Sequence, residues 1–396
     1  MLLHEPILDE PSIRWDCRHY LGDRPCRRNR LCQGCDSYEP YARRVAVVKV
    51  GALGDVIRTL CILPGLARRW PDAQVTWVTQ PAAKAMIEHH ERIDRVVCFD
   101  PSANLQLTQE RFDAVICLDK EAGPCALANA MQAPVKLGVG LSPAGTPVPM
   151  NREAVKYFQL GLSDELKFRG NARSYPQLVY EALGWRYAGE GYELGVLESA
   201  ASSAGEKLSA GGWRVGEATL GVNVGAGGVF ANKMWPAQRV ARLLGALHAA
   251  RPEVQVVLLG GKAEQATMDR LHEQLPWTIH SGSDNDAQSF IALIDRCDAI
   301  FCGDTLAMHL AIARRREVVV FFGPTCEQEI DLFGRGEKLI ADVGCSPCYK
   351  RRCDRGDVCL EAVSIDTALH AIGRSLDRAG CAAGRRVVSL PVLRVA

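Results

Sequence analysis

The chain has 396 residues, 47% of them hydrophobic, which is long and apolar enough for two domains with sizeable cores. Its 47 Lys and Arg residues balance 46 Asp and Glu residues, and this net charge of +1 argues against a general nucleic-acid binder. No apolar run reaches the roughly 18 residues of a membrane-spanning helix, and the first residues do not resemble a signal peptide.

Residues 1–43 lack helical or strand periodicity and are predicted to form a small appendage rich in arginine and cysteine. Four of the chain's 16 cysteines lie here with the spacing C-x8-C-x5-C-x2-C: Cys17, Cys26, Cys32 and Cys35. Only the last pair has the spacing of a metal knuckle. Without an export signal we expect a reducing compartment, where clustered cysteines bind metal more often than they form disulfides.

The stretch Val45–Arg58 predicts a buried strand, a tight turn and a helix that begins near Asp55. The strand is a short, mostly β-branched run, typical of a strand buried on both faces. Gly51 and Gly54 permit a positive φ and a close approach of other groups. Asp55 then lies at the carboxyl end of the strand, where ligands bind in open α/β sheets. Asp55 can be an acid that the helix dipole favours at a helix N-terminus, or a general base at the mouth of the cleft.

Strands and helices alternate along the rest of the chain, with a change of unit at residues 185–218. This pattern predicts two parallel sheets covered on both faces, in two α/β units that meet at a cleft suited to a nucleotide-bearing ligand. The predicted strands are Val45–Val50, Gln74–Thr79, Arg95–Phe99, Ala114–Leu118, Val135–Val139, Thr219–Val224, Val254–Leu259, Ala299–Cys302 and Val318–Phe322. The predicted helices are Asp55–Arg69, Pro81–His90, Ala122–Met131, Asn171–Leu183, Pro236–Ala250, Lys262–Gln274, Thr305–Arg314 and Ile365–Leu376.

The turn after the first strand of the second unit is a candidate phosphate site. It contains Gly225 and Gly227, whose backbone N–H groups can face phosphate oxygens. Lys233, a few residues later, adds a point charge suited to a diphosphate. The spacing matches neither of the common phosphate-binding glycine motifs, and a flexible turn explains it about as well.

Two further turns of the second unit carry polar candidates. Asp304 and Thr305 open a helix whose free N–H groups suit a phosphate, although either residue can simply be an N-cap. His309 follows one turn later and can be a ligand contact or a packed core histidine. Glu264 lies where a carboxylate can accept hydrogen bonds from ribose hydroxyls, although exposed glutamates are usually only solvated.

Two motifs suggest metals. Four cysteines with the spacing C-x2-C-x4-C-x5-C suit a tetrahedral, structural zinc or iron site, with disulfides as the alternative: Cys345, Cys348, Cys353 and Cys359. The sequence Asp284-Asn285-Asp286 is a D-x-D, which binds a divalent metal in some sugar transferases. Because it precedes a predicted helix at Ala287, a loop with an N-cap is the favoured interpretation.

Taken together, these motifs resemble glycosyltransferase family 9, the bacterial heptosyltransferases that act on lipopolysaccharide core. The resemblance covers about Val45 to Leu376. It depends on the order and spacing of Lys49–Ile57, Lys233–Pro236, Gly303–Thr305, Met308–Ala311 and Phe322–Thr325. The family implies a GT-B fold with two Rossmann-like domains, the acceptor on the first half and an ADP-sugar on the second. It also implies inversion at the anomeric carbon without a catalytic metal.

By position, Asp55 resembles the family's general base and Lys233 the lysine that contacts the donor diphosphate. Asp304 and Thr305 match the turn on the phosphate side, and Glu264 the acid that holds the ribose. The remaining expected contacts are Gly225, Gly227 and His309 on the donor side, and Gly51, Gly54 and Arg58 on the acceptor side. The chain has Leu306-Ala307 where many members have Gly-Pro, and its N-terminal cysteines lie outside the common core. The C-terminal cysteines resemble the iron finger of the autotransporter heptosyltransferases, which implies a metal finger without naming its metal.

The sequence therefore predicts four segments: the appendage 1–43, an acceptor domain 44–190, a nucleotide-sugar domain 191–378 with the finger 345–359, and a tail 379–396. The expected function is inverting transfer of a heptose or similar sugar from an ADP-sugar to a lipopolysaccharide-type glycan or glycolipid. Another sugar, a protein acceptor of the autotransporter type, and a non-catalytic nucleotide- or metal-binding protein are the alternatives. We expect a cytoplasmic protein, with the early arginines either contacting anionic lipid of the inner membrane or simply solvated.

Overall fold

A computed structural model describes residues 8–225, 231–351, 353–356, 358–383 and 392–393 of the chain. The predicted phosphate contact Gly227 lies outside these residues. Within them, no helix combines the length and the apolar character needed to cross a bilayer.

Two six-stranded sheets form the frame of the molecule. The strands are β1 (Arg43–Val48), β2 (Ala73–Thr79), β3 (Arg95–Cys98), β4 (Ala114–Cys117), β5 (Val135–Leu141), β6 (Pro147–Pro149), β7 (Val196–Leu197), β8 (Thr219–Asn223), β9 (Gln255–Leu259), β10 (Ile279–His280), β11 (Ala299–Gly303), β12 (Glu317–Phe322), β13 (Gly336–Ile340) and β14 (Val392–Leu393). Strand β14 pairs with β7 apart from the two large sheets.

Helices cover the sheets. They are α1 (Leu53–Thr59), α2 (Ile62–Arg69), α3 (Pro81–Ile87), α4 (Pro101–Gln109), α5 (Ala122–Ala130), α6 (Ala154–Gln159), α7 (Tyr175–Ala182), α8 (Glu198–Ala210), α9 (Ala237–Ala250), α10 (Gln265–Gln274), α11 (Ala287–Asp295), α12 (Leu306–Ala313), α13 (Val358–Ala362) and α14 (Ile365–Ala383). Short 3₁₀ helices span Ala231–Lys233, Lys262–Glu264 and Glu327–Glu329, and a π-helix spans Leu166–Gly170.

Both sheets follow the doubly wound strand order. The first runs β3-β2-β1-β4-β5-β6, parallel except for the antiparallel edge strand β6. The second runs β10-β9-β8-β11-β12-β13 and is parallel throughout. The order reverses between β1 and β4 in one sheet and between β8 and β11 in the other. Ligands bind beyond the carboxyl ends of strands at such points, so the fold itself points to the turns after these strands.

Apolar contacts join the two units. One buried cluster holds residues of both halves, including Ile57 of α1 and Met308 of α12, while two further clusters cover the outer faces of the sheets. The predicted architecture of two α/β units facing each other is therefore confirmed.

The predicted helix from Asp55 to Arg69 is two helices in the structure. Pro64 lies in the first turn of α2 and has no N–H to donate to the carbonyl of Leu60. At the break, the N–H groups of Leu60 and Cys61 donate three residues back instead of four. The first helix is consequently a short element that carries Asp55 to the edge of the sheet.

Other differences lie at edges and ends. The pattern missed the edge strand β13, whose sequence Gly-Glu-Lys-Leu-Ile is only partly buried, and the polar helix α4. Asp100 caps α4 by accepting from the N–H of Ala103 at 3.0 Å, so the Asp-Pro pair that starts it was a usable signal. Helix α7 begins at Tyr175, not at the predicted Asn171, which is extended.

Candidate functional site

A cavity of about 1000 Å³ opens between the two units, beyond the carboxyl ends of their central strands. Most of the predicted site residues line it together. They are Gly54, Asp55 and Arg58 from the first unit and Gly225, Lys233, Glu264, Asp304, Thr305 and His309 from the second. Gly51 does not line this cavity, because it lies behind it against Asp119.

Asp55 lies in the first turn of α1 and keeps 37% of its side chain exposed. Its Oδ1 lies 2.8 Å from the guanidinium of Arg58, one turn along the helix, and forms an ion pair with it. Burial opposes ionisation of Asp55, but the charges of Arg58 and Lys49 outweigh it and hold the pKa of this carboxyl below its ordinary value. The site therefore holds an ionised, partly accessible carboxylate.

A buried ion pair beneath this turn was missed by the sequence analysis. Lys49 donates to Asp119, which follows β4, and Asp119 also accepts from the N–H groups of Val50 and Gly51. Both side chains are almost fully buried. A methyl group at Gly51 would lie 3.2 Å from Oδ1 of Asp119, so the turn fits tightly around this carboxylate. The available signal was an acid placed directly after a strand at the switch point.

Gly54 lies where the two units meet. A methyl group at this position would lie 2.6 Å from Cδ2 of His309, closer than side chains approach each other. His309 is buried, and its Nδ1 lies 3.1 Å from the hydroxyl of Tyr192. Burial, with Arg58 nearby, lowers the pKa of His309 to about 4, so the imidazole is neutral at pH 7. The glycine thus admits a packed histidine from the opposite half.

Lys233 and Asp304 form an ion pair at the floor of the second unit. Lys233 Nζ lies 3.1 Å from Asp304 Oδ2, with 19% of the lysine side chain exposed. Burial opposes ionisation of Asp304, but Lys233 outweighs it and keeps the pKa of the carboxyl low. The pair holds a lysine charge at the cavity wall.

The neighbouring glycine makes this pair possible, because a methyl group at Gly303 would lie 1.9 Å from the carbonyl oxygen of Lys233. Gly303→Ala is expected to lower the free energy of unfolding by about 1–3 kcal/mol, because the Lys233 segment must move. Gly245→Ala inside α9 is the control: no atom lies within 4 Å of the new methyl, and it should stabilise the helix by about 0.5–1 kcal/mol. Denaturant unfolding measures both, and equal effects would contradict the tight packing of Gly303.

The start of α12 faces the cavity. Thr305 occupies its N-cap position, but its side chain makes no capping hydrogen bond, and its hydroxyl lies 3.4 Å from Nδ2 of Asn223. Among the described residues, no side chain caps the N–H groups of the first turn, which lie at the positive end of an eight-residue helix. Leu306 and Ala307, the departures from the family pattern, line the cavity here as well.

Glu264 lines the same cavity from the turn after β9. Its carboxylate accepts from the N–H of Gly261 at 3.0 Å. A methyl group at Gly225 would lie 2.0 Å from Glu264 Cγ, so these two predicted residues are direct neighbours. The turn after β8 and the turn after β9 thereby meet at one end of the cavity.

Three residues that line the cavity were not indicated by any pattern in the sequence: Lys167, Glu329 and Tyr349. Lys167 comes from the π-helix of the first unit, and its Nζ lies 3.9 Å above the ring of Tyr349. Glu329 lies in the 3₁₀ helix after β12, with its Oε2 at 3.5 Å from the guanidinium of Arg58. All three reach the cavity only because distant loops fold over it.

Among the described residues, the predicted metal ligands do not come together in a group of three or more. Within the described part of the chain, no three His, Cys, Asp or Glu side chains stand close enough to hold an ion. Cys359 packs in the cluster on the outer face of the second sheet, and Cys353 Sγ accepts from the N–H of Arg355 at 3.4 Å. Four cysteines near the N-terminus line one small cavity: Cys17, Cys26, Cys32 and Cys35. In the described part of the chain, they too do not form a group of three or more ligands. The predicted zinc or iron site gains no support from this geometry.

The D-x-D motif is a loop with a cap, as predicted. Asp286 is the N-cap of α11 and accepts from the N–H of Ser289 at 2.7 Å. Asp284 pairs with the exposed Lys262 at 3.0 Å.

The sequence matches one family profile. The profile of glycosyltransferase family 9 (heptosyltransferase) matches residues 103–358. The chain belongs to glycosyltransferase family 9. No curated protein matches it in sequence.

Solved structures of this family share the fold. A family 9 glycosyl transferase from Veillonella parvula is 20% identical, with a TM-score of 0.69 over 86% of this chain and 99% of that one. The ADP-heptose LPS heptosyltransferase II of E. coli is 17% identical, with a TM-score of 0.62 over 85% and 99%. The iron-containing dodecameric glycosyltransferase TibC of enterotoxigenic E. coli is 13% identical, with a TM-score of 0.53 over 85% and 77%. The predicted GT-B fold is thus confirmed.

Proposed function

We propose that this family 9 glycosyltransferase moves a heptose, or a similar sugar, from an ADP-sugar to a hydroxyl of a lipopolysaccharide-type glycan, with inversion. One observation carries the proposal. An ionised carboxylate from the first unit and a lysine and helix N-terminus from the second line the same cavity. A reaction that joins an acceptor on one half to a nucleotide sugar on the other needs this arrangement.

The donor binds on the second unit. Its diphosphate lies against Lys233 and the N–H groups that open α12, where a lysine charge and a helix dipole both favour an anion. Glu264 accepts from the ribose hydroxyls. The donor class is supported by heptosyltransferase II, whose donor is ADP-heptose, and the cavity of about 1000 Å³ has the size of a nucleotide-sugar site.

The acceptor hydroxyl lies against Asp55. Its proton passes to the carboxylate while the hydroxyl oxygen forms a bond to the anomeric carbon. The bond between that carbon and the donor phosphate breaks on the opposite face, and ADP leaves with the electron pair. Lys233 and the start of α12 stabilise the charge that develops on the leaving phosphate.

A transfer assay tests the proposal directly. ADP-heptose and a deacylated lipopolysaccharide core are incubated with the protein, and ADP release and product mass are followed together. We expect one added heptose per ADP, with the configuration at the anomeric carbon inverted in the NMR spectrum of the product. ADP release without acceptor is the control for hydrolysis. A panel of nucleotide sugars and acceptors that yields no transfer would favour the non-catalytic alternative.

The contact of the early arginines with the inner membrane stays a prediction.

A further inference from the structure

Arg58 connects the two halves of the cavity. Its guanidinium lies 2.8 Å from Oδ1 of Asp55 on its own helix and 3.5 Å from Oε2 of Glu329 on the second unit. Only 16% of the Arg58 side chain and 13% of the Glu329 side chain are exposed, so solvent screens this linkage little. The arginine thus contacts one carboxylate from each unit.

Helix α7 fixes the arginine from a third side. The guanidinium lies 3.8 Å above the ring of the buried Tyr175, close enough for a cation–π contact. The hydroxyl of Tyr175 lies 2.7 Å from Oγ1 of Thr59, and that same Oγ1 donates to the backbone carbonyl of Asp55. Tyr175 therefore holds both the arginine and the helix turn that carries Asp55.

The two carboxylates compete for one arginine. A guanidinium beside Asp55 keeps it ionised, but it also makes the carboxylate a weaker base. The negative charge of Glu329 offsets part of the positive charge of Arg58, so Asp55 is a stronger base than it would be beside Arg58 alone. Because Glu329 belongs to the second unit, its share depends on how closely the two halves approach.

We propose that Arg58 is a positioning residue that orients Asp55 and, through Glu329, couples its basicity to the approach of the two units. The inference rests on the proposed function, since it takes Asp55 as the base. With the halves as they lie here, Glu329 shares the charge of Arg58 and the carboxylate of Asp55 is the stronger base. When they separate, Arg58 bonds to Asp55 alone.

The surroundings of both groups contain other charges that a pH experiment must hold constant. Asp55 is faced by Lys49 from the end of β1, by His309 from α12 and by Lys233. Arg58 is faced by the hydroxyls of Tyr157 and Tyr175 in addition to the two carboxylates. Glu329 is faced by Lys120, by the thiol of Cys326 and by the hydroxyl of Tyr349. Substitutions at Arg58 and Glu329 leave all of these in place.

Two substitutions should move the pH dependence of kcat in opposite directions. Arg58→Gln removes the charge that keeps Asp55 ionised, so the acid limb is expected to move upward by about one pH unit or more. Misorientation of Asp55 should also lower kcat by roughly 10- to 100-fold, with KM for the donor nearly unchanged. Glu329→Gln leaves Arg58 entirely to Asp55, so the acid limb should move downward. Arg58→Lys should restore part of kcat.

Arg44→Gln is the matched control. Arg44 lies in the same half, pairs with Glu110 at 2.7 Å and lies 5.0 Å from the ring centroid of Phe112, but it does not line the cavity. Its removal should leave the acid limb in place. If neither Arg58→Gln nor Glu329→Gln moves the acid limb while Asp55→Asn abolishes transfer, the proposed coupling is wrong. The assignment of Asp55 as the base would still stand. If Asp55→Asn keeps full transfer, Asp55 is not the base and the coupling loses its premise, although the transferase activity stands. If the wild-type protein transfers no sugar, the proposed function itself fails. Should Arg58→Gln not fold, the sign of the Glu329→Gln shift decides alone.

Discussion

Asp55→Asn is expected to lower kcat by about 10²–10⁴-fold, because an amide cannot accept the proton of the acceptor hydroxyl. The substitution keeps the size of the side chain and removes only its charge. ADP-sugar binding should change little, since the proposed donor contacts, Lys233 and the start of α12, line the cavity from the second unit. Steady-state transfer rates and calorimetric donor titration measure the two effects separately.

Asp100→Asn is the control for this experiment. Asp100 also begins a helix of the first unit, α4, but it caps that helix outside the cavity. Asparagine caps a helix as well as aspartate does, so both stability and transfer should be unchanged. An Asp55→Asn protein that transfers at the wild-type rate would show that another group takes the proton.

Lys233→Ala is expected to lower kcat/KM by about 10²–10³-fold, because it removes the charge that we propose faces the leaving phosphate. The loss should appear both in donor affinity and in kcat, since the negative charge on the phosphate is greater in the transition state than in the bound donor. The variant also leaves Asp304 without its partner. Thermal unfolding must therefore accompany the kinetics, so that a folding defect is separated from a catalytic one.

Lys338→Ala provides the matched control. Lys338 lies in the same unit, keeps 25% of its side chain exposed and pairs with Glu327 at 2.8 Å, yet it does not line the cavity. Its removal should cost little activity. Equal losses for both lysines would mean that Lys233 acts through the fold, and donor contact would have to be assigned elsewhere.

Local patterns were sufficient for the frame of the molecule. The β-branched run before Gly51 predicted β1, and the alternation of strands and helices predicted both units. Where the pattern failed, a nearby chemical reason explains it. Pro64 divides the predicted helix in two, and the strand β13 looks polar because it lies at the edge of a sheet.

By itself the sequence determined the turns that carry Asp55, Lys233 and Thr305, because strand and helix periodicity are properties of neighbouring residues. Only the tertiary structure decided which distant residues contact those turns. The pairs of Lys49 with Asp119, Gly54 with His309, and Arg58 with Glu329 each join residues far apart in the chain. Among the described residues, the tertiary structure brings no three of the predicted cysteine ligands of residues 345–359 together, although their spacing suggested a metal site. Spacing along a chain sets which residues share a local element, but contacts between units depend on how whole sheets and helices pack.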